Sequence, residues 1–157
     1  MKLKLVFILL LFSAIVLHAQ QEKEIVGRWK LVFLSHEKDT VWVSDDTAVT
    51  RFMHVVARAQ LPYGSKNEIE NQAKAMILSI SFSKDMIMNF SENKKFHDEH
   101  EKPSLFEDES GSYTFIGKTI IAMYSDGRIH HCELVKVNGE WLLRLDGIKQ
   151  YLYYKKI

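Results

Sequence analysis

The residues best suited to chemistry stand close together past the middle of the chain. His97-Asp98-Glu99-His100-Glu101 places two imidazoles three residues apart among carboxylates, and both ligand types suit Zn²⁺ or another divalent cation. The order is not the His-Glu-x-x-His of helix-borne zinc proteases, and Lys102-Pro103 follows directly. The run therefore reads as a solvated polar loop, with His97 and His100 as weak metal candidates and no metal site assigned. His130-His131 falls in a strand pattern, where adjacent side chains point to opposite faces, so the two cannot share one ion. Either one suits a carboxylate anchor that titrates near neutral pH. Cys132 shares the face of His130 but sits about 7 Å along the strand, too far for direct activation, so a buried, inert thiol is expected. There is no Gly-x-Ser-x-Gly, phosphate-binding glycine loop or calcium loop in the sequence, and Glu107-Asp108-Glu109 reads as solubilising charge. The sequence thus gives no support for an enzyme, and no cofactor is expected.

Whatever these residues do, short strands must position them. From Ser110 onward, Gly117-Lys118, Asp126-Gly127, Asn138-Gly139 and Asp146-Gly147 recur at intervals of eight to twelve residues. Such pairs supply the positive φ angles of tight hairpins. Between them, segments 112–116, 119–125, 128–137, 140–146 and 149–155 are rich in aromatic and β-branched residues. Several alternate: Tyr113 and Phe115 oppose Ser112 and Thr114, and Trp141, Leu143 and Leu145 oppose Leu142 and Arg144. This predicts an antiparallel meander. Upstream, 25–34 and 40–43 read as strands, and 78–82 with 86–90 as a hairpin across Ser83-Lys84-Asp85. Ser65-x-x-Glu68 matches a helix capping box, with Ile69, Ala73, Met76 and Ile77 on one face. Segment 47–61 fits either a helix behind Asp45 and Asp46 or a strand. Eight or nine strands with one or two short helices before the meander predict a mainly β protein. A flat sheet of that size exposes two edges, and closure into an up-and-down barrel removes them.

Composition sets the class. The 157 residues are 46% hydrophobic and 26% charged, as in ordinary globular chains. A net charge of +1 creates no field that would point to nucleic acid. Residues 1–19 form a separate unit: Lys2 and Lys4, an apolar run over 5–17, then Leu17-His18-Ala19. That is the layout of a secretory signal peptide, and the run is shorter than the roughly 20 residues a membrane span needs. Export to the periplasm or the outside is expected, with 20–157 as the folded domain and no stable transmembrane anchor after cleavage. The single cysteine, Cys132, leaves that domain to be stabilised by its core rather than by disulfides.

Ile25-Val26-Gly27-Arg28-Trp29-Lys30-Leu31-Val32 opens the domain with Gly-x-Trp at the first strand. With the terminal meander ending Tyr151-Leu152-Tyr153-Tyr154-Lys155-Lys156-Ile157, this resembles the exported bacterial lipocalin-like domains. The resemblance implies a barrel plugged at one end by Trp29, with Arg144, Lys155 or Lys156 packed on the plug. It also implies a binding module for a small, apolar or amphipathic ligand, lined by inward aromatics: Tyr113, Phe115, Tyr124, Trp141 and Tyr153. The intervening helices depart from the standard lipocalin order and resemble the helical lid of fatty-acid-binding barrels at the level of fold alone. The alternative is a barrel filled by its own side chains, among them Phe82, Phe90, Phe115, Trp141 and Tyr153, that acts through a protein partner.

Overall fold

The computed structural model describes residues 23–101 and 108–157; the expected signal segment lies outside them. After helical residues at 23–25, nine strands and two complete helices follow among the described residues in the order β1 (Gly27–His36), β2 (Asp39–Trp42), α1 (Asp46–Gln60), α2 (Lys66–Asp85), β3 (Met86–Phe90), β4 (Lys95–His100), β5 (Ser110–Ile116), β6 (Thr119–Tyr124), β7 (Ile129–Val137), β8 (Glu140–Gly147) and β9 (Gln150–Lys156). Every strand from β3 to β9 pairs antiparallel with the next, and β9 returns to β1. The mainly β fold is therefore a closed eight-stranded barrel. β2 is the extra strand: it pairs with Phe33–His36 of β1, while β3 takes the Gly27–Lys30 stretch.

Turn chemistry sets the registers. Asn138 and Gly139 adopt φ of 50° and 88° between the paired residues Val137 and Glu140, the mirror-image turn that suits strand twist. The β8–β9 turn falls two residues later than Asp146-Gly147 suggests. Gly147 pairs with Gln150, and Lys149 takes the left-handed conformation, φ 60°.

Segment 47–61 resolves as helix. Asp45 caps it by accepting from the Ala48 N–H, and Val49, Phe52, Met53, Val56 and Ala57 are buried on one face. The expected strand at 78–82 is a correction: α2 continues to Asp85. The capping box at Ser65 and Glu68 starts the helix, and 66–85 contains neither Gly nor Pro to stop it. Ser81, read as part of the strand, and Ser83, read as part of the turn, bond their hydroxyls back to the Ile77 and Ser79 carbonyls at 2.9 and 3.0 Å. Ala73, Met76 and Ile80 are the buried side, so Phe82 stands half-exposed on the helix rather than inside a barrel.

The helices share one continuous core with the barrel interior. They lie towards the end that carries the β8–β9 turn, where the Gln60 amide donates to the Ile148 carbonyl at 2.7 Å and His36 bonds the Lys149 carbonyl. Trp29 is fully buried, and its indole N–H donates to the Ile25 carbonyl at 2.7 Å. Of the three basic residues considered for the plug, Lys156 is the one over its ring, with Nζ 5.6 Å from the centroid.

Candidate functional site

The run read as a loop is strand β4, and its alternation decides which groups enter the barrel. Phe96 is buried, pairs with Phe90 and packs against its ring at 5.6 Å. With Phe96 inward, Asp98 and His100 share the interior face, and His97 and Glu99 face out. His97 and His100 therefore sit on opposite sides of one strand and cannot share an ion. His97 instead contacts Glu99 at 2.9 Å, and Glu99 also takes Asn89 at 2.8 Å and Arg28 at 3.1 Å. These partners, Asn89 foremost, hold the Glu99 carboxyl below its ordinary range. No cluster of three potential metal ligands occurs among the described residues.

Asp98 is the candidate that sequence reading did not single out. It is only 2% exposed. Its Oδ2 accepts from the Tyr124 hydroxyl at 2.8 Å, while Oδ1 has no hydrogen-bond partner among the described residues. Three further strands bring groups towards it: Tyr124 of β6 bonds it, and Cys132 of β7 and Tyr154 of β9 lie near enough to feel its charge. The Tyr124 ring meets Phe96 edge-on at 4.9 Å and lies 5.1 Å from the His130 ring. Burial pushes the Asp98 carboxyl up to about 6, partly offset by the Tyr124 hydrogen bond. Burial, with the nearby Asp98 charge adding to it, also raises the phenols of Tyr124 and Tyr154, so both stay protonated. The Cys132 thiol is pushed up to about 12 by burial, as expected of an inert thiol. Burial lowers His130, and the Arg128 charge adds to the effect.

The cation best placed to neutralise Asp98 is committed elsewhere. Arg128 lies over the Tyr124 ring at 4.6 Å, but its guanidinium binds Glu109 at 2.5 Å and Asp126 at 2.6 Å. Asp98 thus has no ion-pair partner among the described residues. No protein-family model matches the chain, and comparisons with curated proteins and with solved structures return no match.

The expected liners divide. Tyr113, Phe115 and Tyr124 face the interior and join one aromatic chain: Tyr113 lies 5.2 Å from Phe90 and 6.0 Å from Phe115. Tyr113 also donates to the Ser91 carbonyl at 2.8 Å. Trp141 has the inward parity of Leu143 and Leu145 but stands 39% exposed near the start of β8, under the Lys136 ammonium at 5.7 Å. Tyr153 is a correction: it lies on the outer face, stacked on Phe33 at 4.4 Å, with Trp42 against the far side of the pair at 5.3 Å from Phe33. Its neighbours Leu152 and Tyr154 are the buried residues of β9. His130 is half-buried inward and His131 exposed, on opposite faces. An open trough of about 710 Å³ runs along the outside of β5, between Lys95 and His97 on one side and Met123 and Ile129 on the other. Asp98 is not among its walls.

Signal in the sequence for Asp98 is faint. A single apolar residue, Phe96, sets the parity of a segment that is otherwise polar.

Proposed function

We propose that the chain is an exported, lipocalin-like binding protein that holds a small amphipathic ligand inside its barrel and performs no catalysis. The carrying observation is the interior hydrogen-bonding position at Asp98 Oδ1, set in an otherwise aromatic and aliphatic wall. Binding sites for small molecules combine an apolar lining with a few placed polar groups, and this wall has that composition. The pairing of Lys156 with the Trp29 plug supports the family resemblance, and the cationic start and short apolar run of 1–19 support export. The protonated, buried Cys132 supports binding over nucleophilic chemistry.

The test is titration of the purified protein with Nile red, followed by mass spectrometry of whatever solvent extraction releases. Saturable one-to-one binding, competed by the extract and abolished by Tyr113→Asp in a folded variant, is the expected result. No binding by a folded protein overturns the reading. It would favour the alternative of a filled barrel with a protein partner, for which the continuous ring contacts of Phe90, Phe96, Tyr113 and Tyr124 are the specific observation.

A further inference from the structure

We infer that the ligand carries a cationic amine, and that Asp98 receives it. The inference rests on the interior-binding reading above and adds the chemical class of the ligand's head. A neutral cargo would leave a carboxylate in the core with one oxygen unpartnered, and an anionic cargo would be repelled by it. Burying a charge without a counter-ion is costly. Among the described residues no cation forms an ion pair with Asp98: Arg128 is held by Glu109 and Asp126, and His100, two residues along the same face of β4, acts on it through charge without a contact. An ammonium at Asp98 Oδ1 supplies the missing charge and the missing donor in one group.

The surroundings suit the same head group. Tyr124 bonds the carboxylate and Tyr154 lies near enough to feel its charge, and burial keeps both hydroxyls protonated, so neither phenol brings a competing negative charge to the amine. Tyr124 already donates to Oδ2, which fixes the carboxylate and leaves Oδ1 as the open acceptor. Around it Phe90, Phe96, Tyr113, Ile120 and Leu143 are buried members of one apolar core, the surroundings that an apolar or aromatic body would join.

Three probes with one twelve-carbon tail decide it: dodecylamine, 1-dodecanol and dodecanoate, each displacing Nile red from the purified protein near neutral pH and below its micellar concentration. Charge-assisted hydrogen bonds exceed neutral ones by enough that dodecylamine should bind about tenfold or more tightly than dodecanol, with dodecanoate weakest. Asp98→Asn and Asp98→Leu should erase the preference for the amine while retaining dodecanol binding. Asp98→Asn removes the charge and keeps an acceptor for the Tyr124 hydroxyl, whereas Asp98→Leu leaves that hydroxyl unpaired; either variant suffices if the other fails to fold. Equal affinity for the three heads, or a preference that survives both substitutions, overturns the amine and leaves the interior-binding reading standing. Failure of all three to displace the dye, or to bind a folded protein directly, overturns both.

Discussion

Asp98 concentrates the energetics of single residues in this protein, because its carboxyl is held near pH 6 while the unfolded chain releases the proton near 3.8. Below both values folded and unfolded states are protonated alike. Between them the folded state holds a proton that the unfolded state has lost, so the contribution of Asp98 to stability declines as pH rises through that window. Above about 6 the full penalty is in place, on the order of 3 kcal/mol, since each tenfold change in proton affinity is worth about 1.4 kcal/mol. Asp98→Asn lacks the titration. Its stability relative to the parent, measured by urea unfolding without ligand, should rise by about 2–3 kcal/mol between pH 4 and pH 7. Taking the difference between the two proteins cancels the acids that shift the other way, such as Glu99 and Asp126. A flat difference would mean that the carboxyl titrates normally. Nothing in the local sequence announces this residue. Within His97-Asp98-Glu99-His100-Glu101 every position is polar, and only pairing of Phe96 with Phe90 turns Asp98 towards the core.

At the scale of elements, the alternation of the meander was readable wherever two or more large apolar residues recur at spacing two. Segments 112–116, 119–125 and 140–146 reappear as β5, β6 and β8, the first and last with the alternation read from their residues. It failed at Tyr153, since Tyr151, Tyr153 and Tyr154 offer aromatics to both faces and only the register with β1 chooses. It failed again over 78–82, where Leu78, Ile80 and Phe82 mimic a strand, yet only Ile80 is buried. Helical continuity from Ser65 outweighs a three-residue alternation that has no strand neighbour. Losing the cap tests that origin: Ser65→Ala should cost about 1 kcal/mol in urea unfolding, and no loss would mean that packing alone starts α2. Glycine in β5 makes a sharper case. A Cβ on Gly111 would sit 2.1 Å from the Met123 carbonyl oxygen and 2.7 Å from Phe96 Cε1. The first contact is backbone, so β5 and β6 must separate. Gly111→Ala should cost about 2–3 kcal/mol by overpacking, whereas Gly117→Ala meets no atom within 4 Å and should cost about 1 kcal/mol for its positive φ alone. Equal losses would place the strain in the turns rather than in the close strand approach.

For the whole molecule, closure depends on bringing the first strand of the barrel to the last. β1 and β9 meet from Trp29–Lys156 to Ser35–Tyr151, a contact between residues more than a hundred positions apart that no local pattern specifies. The Gly27-x-Trp29 sequence marks where it happens. Trp29 fills the end of the barrel, and Lys156 crosses its ring and donates to the Glu24 carbonyl at 2.9 Å. Gly27, at φ +132°, leaves room for that side chain, because a Cβ there would fall 2.5 Å from Lys156 Cε. The parts differ in weight. Trp29→Ala empties a fully buried volume and frees the indole's hydrogen-bond acceptor, and should cost about 3–5 kcal/mol. Lys156→Ala removes a cation–π contact at an exposed site, worth about 0.5–1 kcal/mol. If the two act as one closure, their effects are not additive: in the Trp29→Ala background, Lys156→Ala should cost almost nothing. A double-mutant cycle by urea unfolding measures this directly. A lysine that costs the same with or without the tryptophan would be anchored by the Glu24 carbonyl alone. The plug would then be Trp29 without its clasp, and the barrel would be held shut by the β1–β9 hydrogen bonds and the core beneath them.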